Sequence, residues 1–269
     1  MSYKFNPEKA LLTAKRFING KLLETGLEGY VIGLSGGIDS ALSAYLAVEA
    51  VGASRVLALL LPYKTSSNRS TGDALELIDK LGITFQQIDI SPMIDAYYPK
   101  INEENHLRAG NKMARERMSI LFDMAQATKR LVLGTGNRTE ICLGYTTWHG
   151  DSACSINPIG ELYKTEVRQL ATYLGIPDHI IKKIPTADLW PGQTDEGEIG
   201  VSYDEIDRIL IRLVDDGVTS MAVLEKEGFN VVDISRIVSL INRNAFKRYP
   251  PDIAPLGRIE IPRFIELGE

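Results

Sequence analysis

Ser35-Gly36-Gly37-Ile38-Asp39-Ser40 decides the fold, because it separates an apolar strand from an apolar helix. Ahead of it, Tyr30-Val31-Ile32-Gly33-Leu34 reads as a short, fully buried β-strand. Behind it, Ala41, Leu42, Ala44, Tyr45, Leu46 and Val48 recur at helical spacing. A glycine pair at that junction lets the backbone turn tightly and approach a ligand closely. The helix that follows points its free N–H groups and positive dipole end at the same place, which favours phosphate. Ser35 and Ser40 add hydroxyls, and Asp39 adds a carboxylate suited to Mg²⁺. Strand, loop and helix together read as a nucleotide phosphate cradle.

What the loop lacks narrows its type. A Walker A loop needs a lysine after its last glycine, and none follows Gly37. A dinucleotide fingerprint needs Gly-x-Gly-x-x-Gly, and the register does not supply it. The string from Gly33 and Leu34 to Ser40 instead resembles the pyrophosphate-binding loop of enzymes that cleave ATP to AMP and pyrophosphate. An ordinary Gly-Gly turn would not bring two serines and an aspartate into the same strand–loop–helix context.

The chain has 269 residues, 44% hydrophobic and 24% charged, enough for a sizeable core. A formal net charge of -5 argues against non-specific nucleic-acid binding, which shows a basic footprint. No apolar stretch approaches a membrane span, and Met1 to Lys9 lacks the apolar run of a secretory signal. The expectation is therefore a cytoplasmic protein with no nucleic-acid or membrane partner. Cys142 and Cys154 flank His149 too sparsely for a zinc site, so two free buried thiols are expected. His106 and His179 are isolated and read as ordinary surface or core histidines.

Outward from the cradle, the pattern alternates strand and helix. An amphipathic helix is expected from Phe5 to Leu23, and buried strands at Val56–Leu61 and Arg130–Thr135. Thr84–Ile90 alternates and reads as a strand nearer an edge. Helices are expected over Ser67–Leu81, Asn102–Lys129 and Glu161–Leu174, the last stopped by Gly175 and Pro177. Pro185 to Gly200 reads as a long polar loop, Ser202 as the start of a helix with a capping box, and one more helix follows from about Val231. Such alternation implies right-handed crossovers and an α/β fold, a Rossmann-like parallel sheet with helices on both faces. Ligands bind beyond the carboxyl ends of such strands, near the topological switch point. The Ser35 loop and the Gly134-Thr135-Gly136-Asn137 loop can therefore face one pocket. No linker divides the chain, and residues 1–269 are expected to form a single domain.

Three further clusters carry chemistry. In the run from Gly134 to Glu140, Thr135 presents a hydroxyl at a strand end, and Glu140 and Asp151 are carboxylates near the candidate nucleotide. Mg²⁺ on a nucleotide takes one or two carboxylates plus phosphate oxygens and water, a demand that Asp39 with Glu140 meets. In Asn111 to Met118, helical spacing puts Arg115 and Arg117 on different faces, so at most one points at a shared site. Lys164 and the Pro185-Thr186-Ala187-Asp188 segment complete the set, a lysine near phosphates being suited to the charge of departing pyrophosphate.

SGGIDSA, NKMARERM, GTGNRTEICLGY, HGDSACSINPIGELYKTEVR and IPTADLWPGQTDEGEIGVSYDEIDRIL occur in that order. Together they resemble the ammonia-dependent NAD synthetase family, from about Phe5 to Pro251. The resemblance implies an adenine nucleotide alpha-hydrolase-like fold and amide formation in two steps. Nicotinic acid adenine dinucleotide (deamido-NAD) is adenylated by ATP with release of Mg-pyrophosphate, and ammonia then displaces AMP to leave NAD. It assigns Gly33 to Ser40 to ATP, with Asp39 and Glu140 on Mg²⁺, and Thr135, Lys164 and Thr186 on ATP. Asp39 and Lys164 would be catalytic, and Arg115 would touch the dinucleotide. The Pro185 to Gly200 loop would close over the intermediate and keep water off an acyl adenylate. A two-fold homodimer with the dinucleotide along its interface is also implied.

The sequence departs from many bacterial members on the dinucleotide side. Trp148 and His149 stand before Gly150-Asp151 where a lysine precedes Tyr-Gly-Asp. Ser155 replaces an aspartate, and Phe246-Lys247 replaces a His-Lys pair. Trp148, Ser155, Phe246 and Lys247 are thus the expected recognition positions for deamido-NAD. Trp148 can either stack on a ligand ring or pack in the core. Neither cysteine sits in a nucleophile context, so free ammonia, or ammonia from a separate partner, is the expected nitrogen source. Two alternatives stay open: another ATP pyrophosphatase, GMP synthetase-like or tRNA-modifying, and a non-catalytic ATP-binding module.

Overall fold

Four short strands align in parallel: β1 (Gly29–Gly33), β2 (Val56–Leu60), β3 (Thr84–Gln87) and β4 (Arg130–Val132). These belong to the computed structural model of the chain, which describes residues 5–98, 101, 105–186, 190, 192–254 and 256. The strand order is β3-β2-β1-β4. The chain steps outward from β1 to β3 and then returns to β4 on the other side of β1, with Tyr30 opposite both Val56 and Leu131. The switch point lies between β1 and β4. The Ser35 and Gly134 loops leave the carboxyl ends of those two strands, which is where such a sheet opens a crevice.

Successive strand residues point to opposite faces, and both faces of β1 are buried. Tyr30 and Ile32 join a core with α1 (Pro7–Thr25), α2 (Ile38–Val51), α3 (Asn68–Leu81) and α7 (Lys164–Tyr173). Val31 joins a second core with α4 (Ser91–Asp95) and α5 (His106–Ala127). Side-chain caps start the helices: Asn6 accepts from the Lys9 N–H at 3.0 Å, and Ser67 from that of Arg69 at 3.2 Å. The expected α/β fold, helices on both faces of a parallel sheet, is what forms.

The C-terminal part adds a third core, where Ile206, Ile234 and Ile237 meet Leu143. It joins α6 (Arg138–Leu143), α10 (Tyr203–Leu210) and α12 (Val231–Arg243), with α8 (Asp178–Ile181), α9 (Asp195–Ile199) and α11 (Met221–Lys226) as short connectors. Helix α10 packs against both α6 and α7 and runs on into a π-turn over Ile211–Asp215.

Several expectations need correction. Strand β3 is at the edge, but its four residues are all exposed, so no inward-facing alternation exists. Helix α7 begins at Lys164, not Glu161, because Leu162 is held in a turn by Ile159 and by the Arg138 N–H. The Pro185–Gly200 stretch contains α9, capped by Thr194; Ala187, Asp188, Leu189 and Pro191 lie outside the described residues. Ser202 does accept from the Glu205 N–H at 3.4 Å, but the reciprocal half of a capping box does not form there. Both cysteines are free, yet half-buried rather than fully buried.

Candidate active site

The phosphate loop is braced by its own serines. The Ser40 hydroxyl donates to the Gly37 carbonyl at 3.0 Å and accepts the Ser35 N–H at 3.2 Å. The Ser35 and Ser40 hydroxyls lie 3.1 Å apart, and Ser35 Oγ accepts the Gly37 N–H at 3.3 Å. Gly36 is required here. Its φ is +75°, and a Cβ at that position would collide with the Ser70 carbonyl. Lys183 holds the same turn from outside, donating to Gly36 O at 3.2 Å and Asp73 Oδ2 at 2.7 Å. Helix α2 therefore begins against a rigid loop, with Asp39 in its first turn where the helix dipole favours an anion.

Asp39 is the hub of a charged cluster drawn from three elements. Lys164 Nζ donates to Asp39 Oδ2 at 2.5 Å and lies 3.9 Å from Glu140 Oε1. Asn137 Nδ2 donates to the other Asp39 oxygen at 2.9 Å. Asn137 also forms a reciprocal cap with Glu140: the Glu140 N–H reaches Asn137 Oδ1 at 2.9 Å, and the Asn137 N–H reaches Glu140 Oε2 at 3.1 Å. One buried asparagine thus fixes both carboxylates. Lys164 is 1% exposed. Burial pulls its ammonium down, but Asp39 and Glu140 outweigh that and hold it above the ordinary lysine value. Burial and the Asp39 carboxylate push Glu140 up to about 8 against the pull of Lys164. Two crowded carboxylates sharing one lysine form a site with room for more positive charge. Among the described residues no cluster of three or more His, Cys, Asp or Glu could hold a metal, and the site offers two carboxylates. That donor set fits Mg²⁺ arriving with a nucleotide and completing its shell from phosphate and water.

The cluster opens into a cavity of about 650 Å³, a volume suited to a nucleotide. Thr135, Lys164, Thr186 and Lys247 line it, together with the phosphate loop. Arg115 does not; it lies exposed, with Nε on the Trp148 carbonyl at 3.2 Å, and Arg117 is the arginine that lines the cavity. Asp151 lines it too, but its oxygens brace the Thr146 hydroxyl and the Thr147 N–H, each at 2.7 Å. Lys247 donates to Gly144 O at 2.8 Å and Thr146 O at 2.7 Å, and burial lowers its pKa. Ser155 is turned to the sheet, its Oγ accepting the Val132 N–H at 3.0 Å. Trp148 stacks on His149 at 4.3 Å and meets Phe246 edge-on at 5.2 Å, outside the cavity lining. Two of the three sequence departures are therefore one aromatic contact.

Residues 11–251 match the NAD synthase family model. The chain belongs to the NAD synthase family. It is 49% identical to the NH(3)-dependent NAD(+) synthetase of Fusobacterium nucleatum, over 90% of this chain and 93% of that protein. Among solved structures it is similar to an NMN synthetase from Francisella tularensis (37% identity, TM-score 0.80, 93% of this chain and 99% of that one). It is also similar to an NH3-dependent NAD synthetase from Campylobacter jejuni (35% identity, TM-score 0.79, 93% of this chain and all of that one). The NAD synthase reaction is ATP-dependent amidation of deamido-NAD, so the chain is a ligase with ATP as substrate.

Against the NAD synthase motifs, several contributing residues carry no signal as isolated letters. Asn137 could have been found from its Asn-x-x-Glu spacing, the pattern of a reciprocal helix cap. Asp195 and Tyr203 could not; their 3.1 Å bond behind Lys164 forms only when α9 and α10 fold over the site. Burial raises the pKa of both.

Proposed function

We propose that the chain amidates deamido-NAD with ammonia through an acyl adenylate. A substrate carboxylate oxygen attacks the α-phosphorus of ATP, the bond to the bridging oxygen breaks, and pyrophosphate leaves. Ammonia then attacks the acyl carbon, the carbon–oxygen bond to AMP breaks, and a proton is lost from nitrogen. The observation that carries this reading is the Asp39–Lys164–Glu140 cluster, set at the switch point beside a phosphate loop with no Walker lysine.

In this reading Gly33 to Ser40 cradle pyrophosphate, and Lys164 balances the charge that grows on it as the bond breaks. Asp39 and Glu140 would hold Mg²⁺, which supplies electrostatic screening of the phosphates when bound. Thr135 and Thr186 would contact ATP from the cavity wall. Lys247 would recognise the acceptor from the cavity wall, and Arg115, Trp148 and Phe246 from outside it, whereas Ser155 would act through the β4 end it braces. The exposed Phe246, packed on a half-buried Trp148, supports a homodimer whose partner completes the acceptor site. Packing of α10 on α6 and α7 supports one catalytic unit over 1–269. The two free thiols agree with a reducing, cytoplasmic setting.

Incubation with ATP, Mg²⁺, ammonium and deamido-NAD should give AMP, pyrophosphate and NAD in equal amounts, and ADP as product would refute the reading. A second acceptor is favoured by the similarity to the NMN synthetase: nicotinic acid mononucleotide, yielding NMN. Comparing kcat/KM for the two acceptors decides between them.

A further inference from the structure

Asp207, in the segment Tyr203-Asp204-Glu205-Ile206-Asp207, has no part in the chemistry above, yet its carboxylate is buried against the helices that carry the charged cluster. Asp207, on α10, is 1% exposed. Its Oδ1 accepts the Thr139 hydroxyl at 2.5 Å, and its Oδ2 accepts the Thr165 N–H at 2.8 Å. Thr139 Oγ1 in turn accepts the backbone N–H of Lys164 at 3.0 Å. The first N–H groups of α7 are thus capped by residues 25 and 42 positions away in sequence, on two other helices. Lys164 and Glu140, the two groups that face Asp39, are both tied to this one bond chain: Lys164 through its own N–H, Glu140 as the neighbour of Thr139.

We propose that Asp207 is a positioning residue for the amidation reaction, aligning Lys164 and Glu140 on Asp39 through the Thr139 hydroxyl. A buried carboxylate is costly unless bonded, and here burial pushes its pKa up while Thr139 and Thr165 pull it down. The Leu133–Ile156 bridge pairs the segments that lead into α6 and α7, but it ends before either helix begins and leaves α10 out. Beyond it, the Asp207–Thr139–Lys164 chain and the Arg138 N–H on the Leu162 carbonyl tie the helices that carry Lys164 and Glu140. The inference rests on the roles given to Lys164 and Glu140 in the proposed function.

Thr139→Val, Asp207→Asn, the double variant and Thr139→Ser are compared with the unaltered enzyme by steady-state kinetics, circular dichroism and thermal melting. Thr139→Val keeps the side-chain shape and removes the hydroxyl, so it reports even where Asp207→Asn does not fold. Thr139→Val and Asp207→Asn should each lower kcat by about 10–100-fold, the usual effect of removing a partner that orients a reactive group. The double variant should lose no more than the worse single, because both cut one chain. Thr139→Ser should restore most of kcat. A lowered melting temperature with unchanged kcat in Thr139→Val would reduce Asp207 to a structural cap, as would fully additive losses in the double variant. Full turnover in Lys164→Met would instead refute the underlying site reading. Loss of turnover there with normal Thr139→Val refutes only the positioning role.

Discussion

Removing the Lys164 ammonium has a cost that can be worked from the structure. Lys164→Met keeps the length and apolar stem of the side chain but leaves Asp39 and Glu140 facing each other without their shared cation. Breaking a buried pair by deleting one partner costs about 3–5 kcal/mol when the survivor is fully buried. Both carboxylates keep 20% side-chain exposure, and Asn137 still donates to Asp39, so the lower end applies, about 3 kcal/mol. For a chain of this size that corresponds to a fall in Tm of roughly 6–12 °C. The assay is thermal melting of the ligand-free protein, with Asp39→Asn added in the Lys164→Met background. Because the loss comes from an unpaired buried charge, Asp39→Asn should recover stability there while lowering it in the unaltered chain. A Tm unchanged by Lys164→Met, or a double variant less stable than Lys164→Met alone, would refute the reasoning.

Other perturbations separate the loop, the cap, the acceptor side and the core. Gly36→Ala forces a Cβ into left-handed backbone against the Ser70 carbonyl; a loss of about 2–4 kcal/mol in chemical denaturation is expected, with ATP binding abolished in calorimetry. Asn137→Ala removes the α6 cap and the Asp39 bond together, and a denaturation measurement should show about 2–3 kcal/mol lost. Trp148→Ala should raise KM for the acceptor and leave KM for ATP unchanged, since Trp148 packs on Phe246 outside the cavity that the phosphate loop lines. Tyr30, buried and donating to the Ile18 carbonyl at 2.6 Å, has its pKa raised by burial from 10.0 to about 12. The folded state holds this proton more tightly than the unfolded chain does, so its contribution is intact below pH 10 and is lost as pH rises to about 12. Alkaline melts should show Tyr30→Phe losing about 3 kcal/mol less than the unaltered chain across that window.

Most of the sheet was legible because β1, β2 and β4 lie in apolar runs that end in glycine or proline, and the order of those runs already places two loops at one switch point. Asp39, Glu140 and Lys164 were legible as residue types suited to phosphate and metal chemistry. Their mutual geometry was not, because Lys164 meets Asp39 from 125 positions away and only after α7 starts late, at Lys164 itself. That late start depends on the Arg138 N–H holding the Leu162 carbonyl at 2.8 Å, a tertiary contact with no local signature. Arg115 and Arg117 show the same limit: helical periodicity separates their faces but cannot say which face meets the cavity. The burial of Asp207 follows from the packing of α10, and in the sequence it reads as one more exposed acid after the first-turn pair Asp204 and Glu205.

The central claim is that the acceptor carboxylate is adenylated at the Ser35 loop before ammonia arrives. The most direct measurement labels both carboxylate oxygens of deamido-NAD with ¹⁸O and follows the products by phosphorus NMR and mass spectrometry. Attack on the α-phosphorus followed by displacement with ammonia leaves one labelled oxygen in AMP and none in pyrophosphate. Unlabelled AMP, or label in phosphate released together with ADP, would contradict the account.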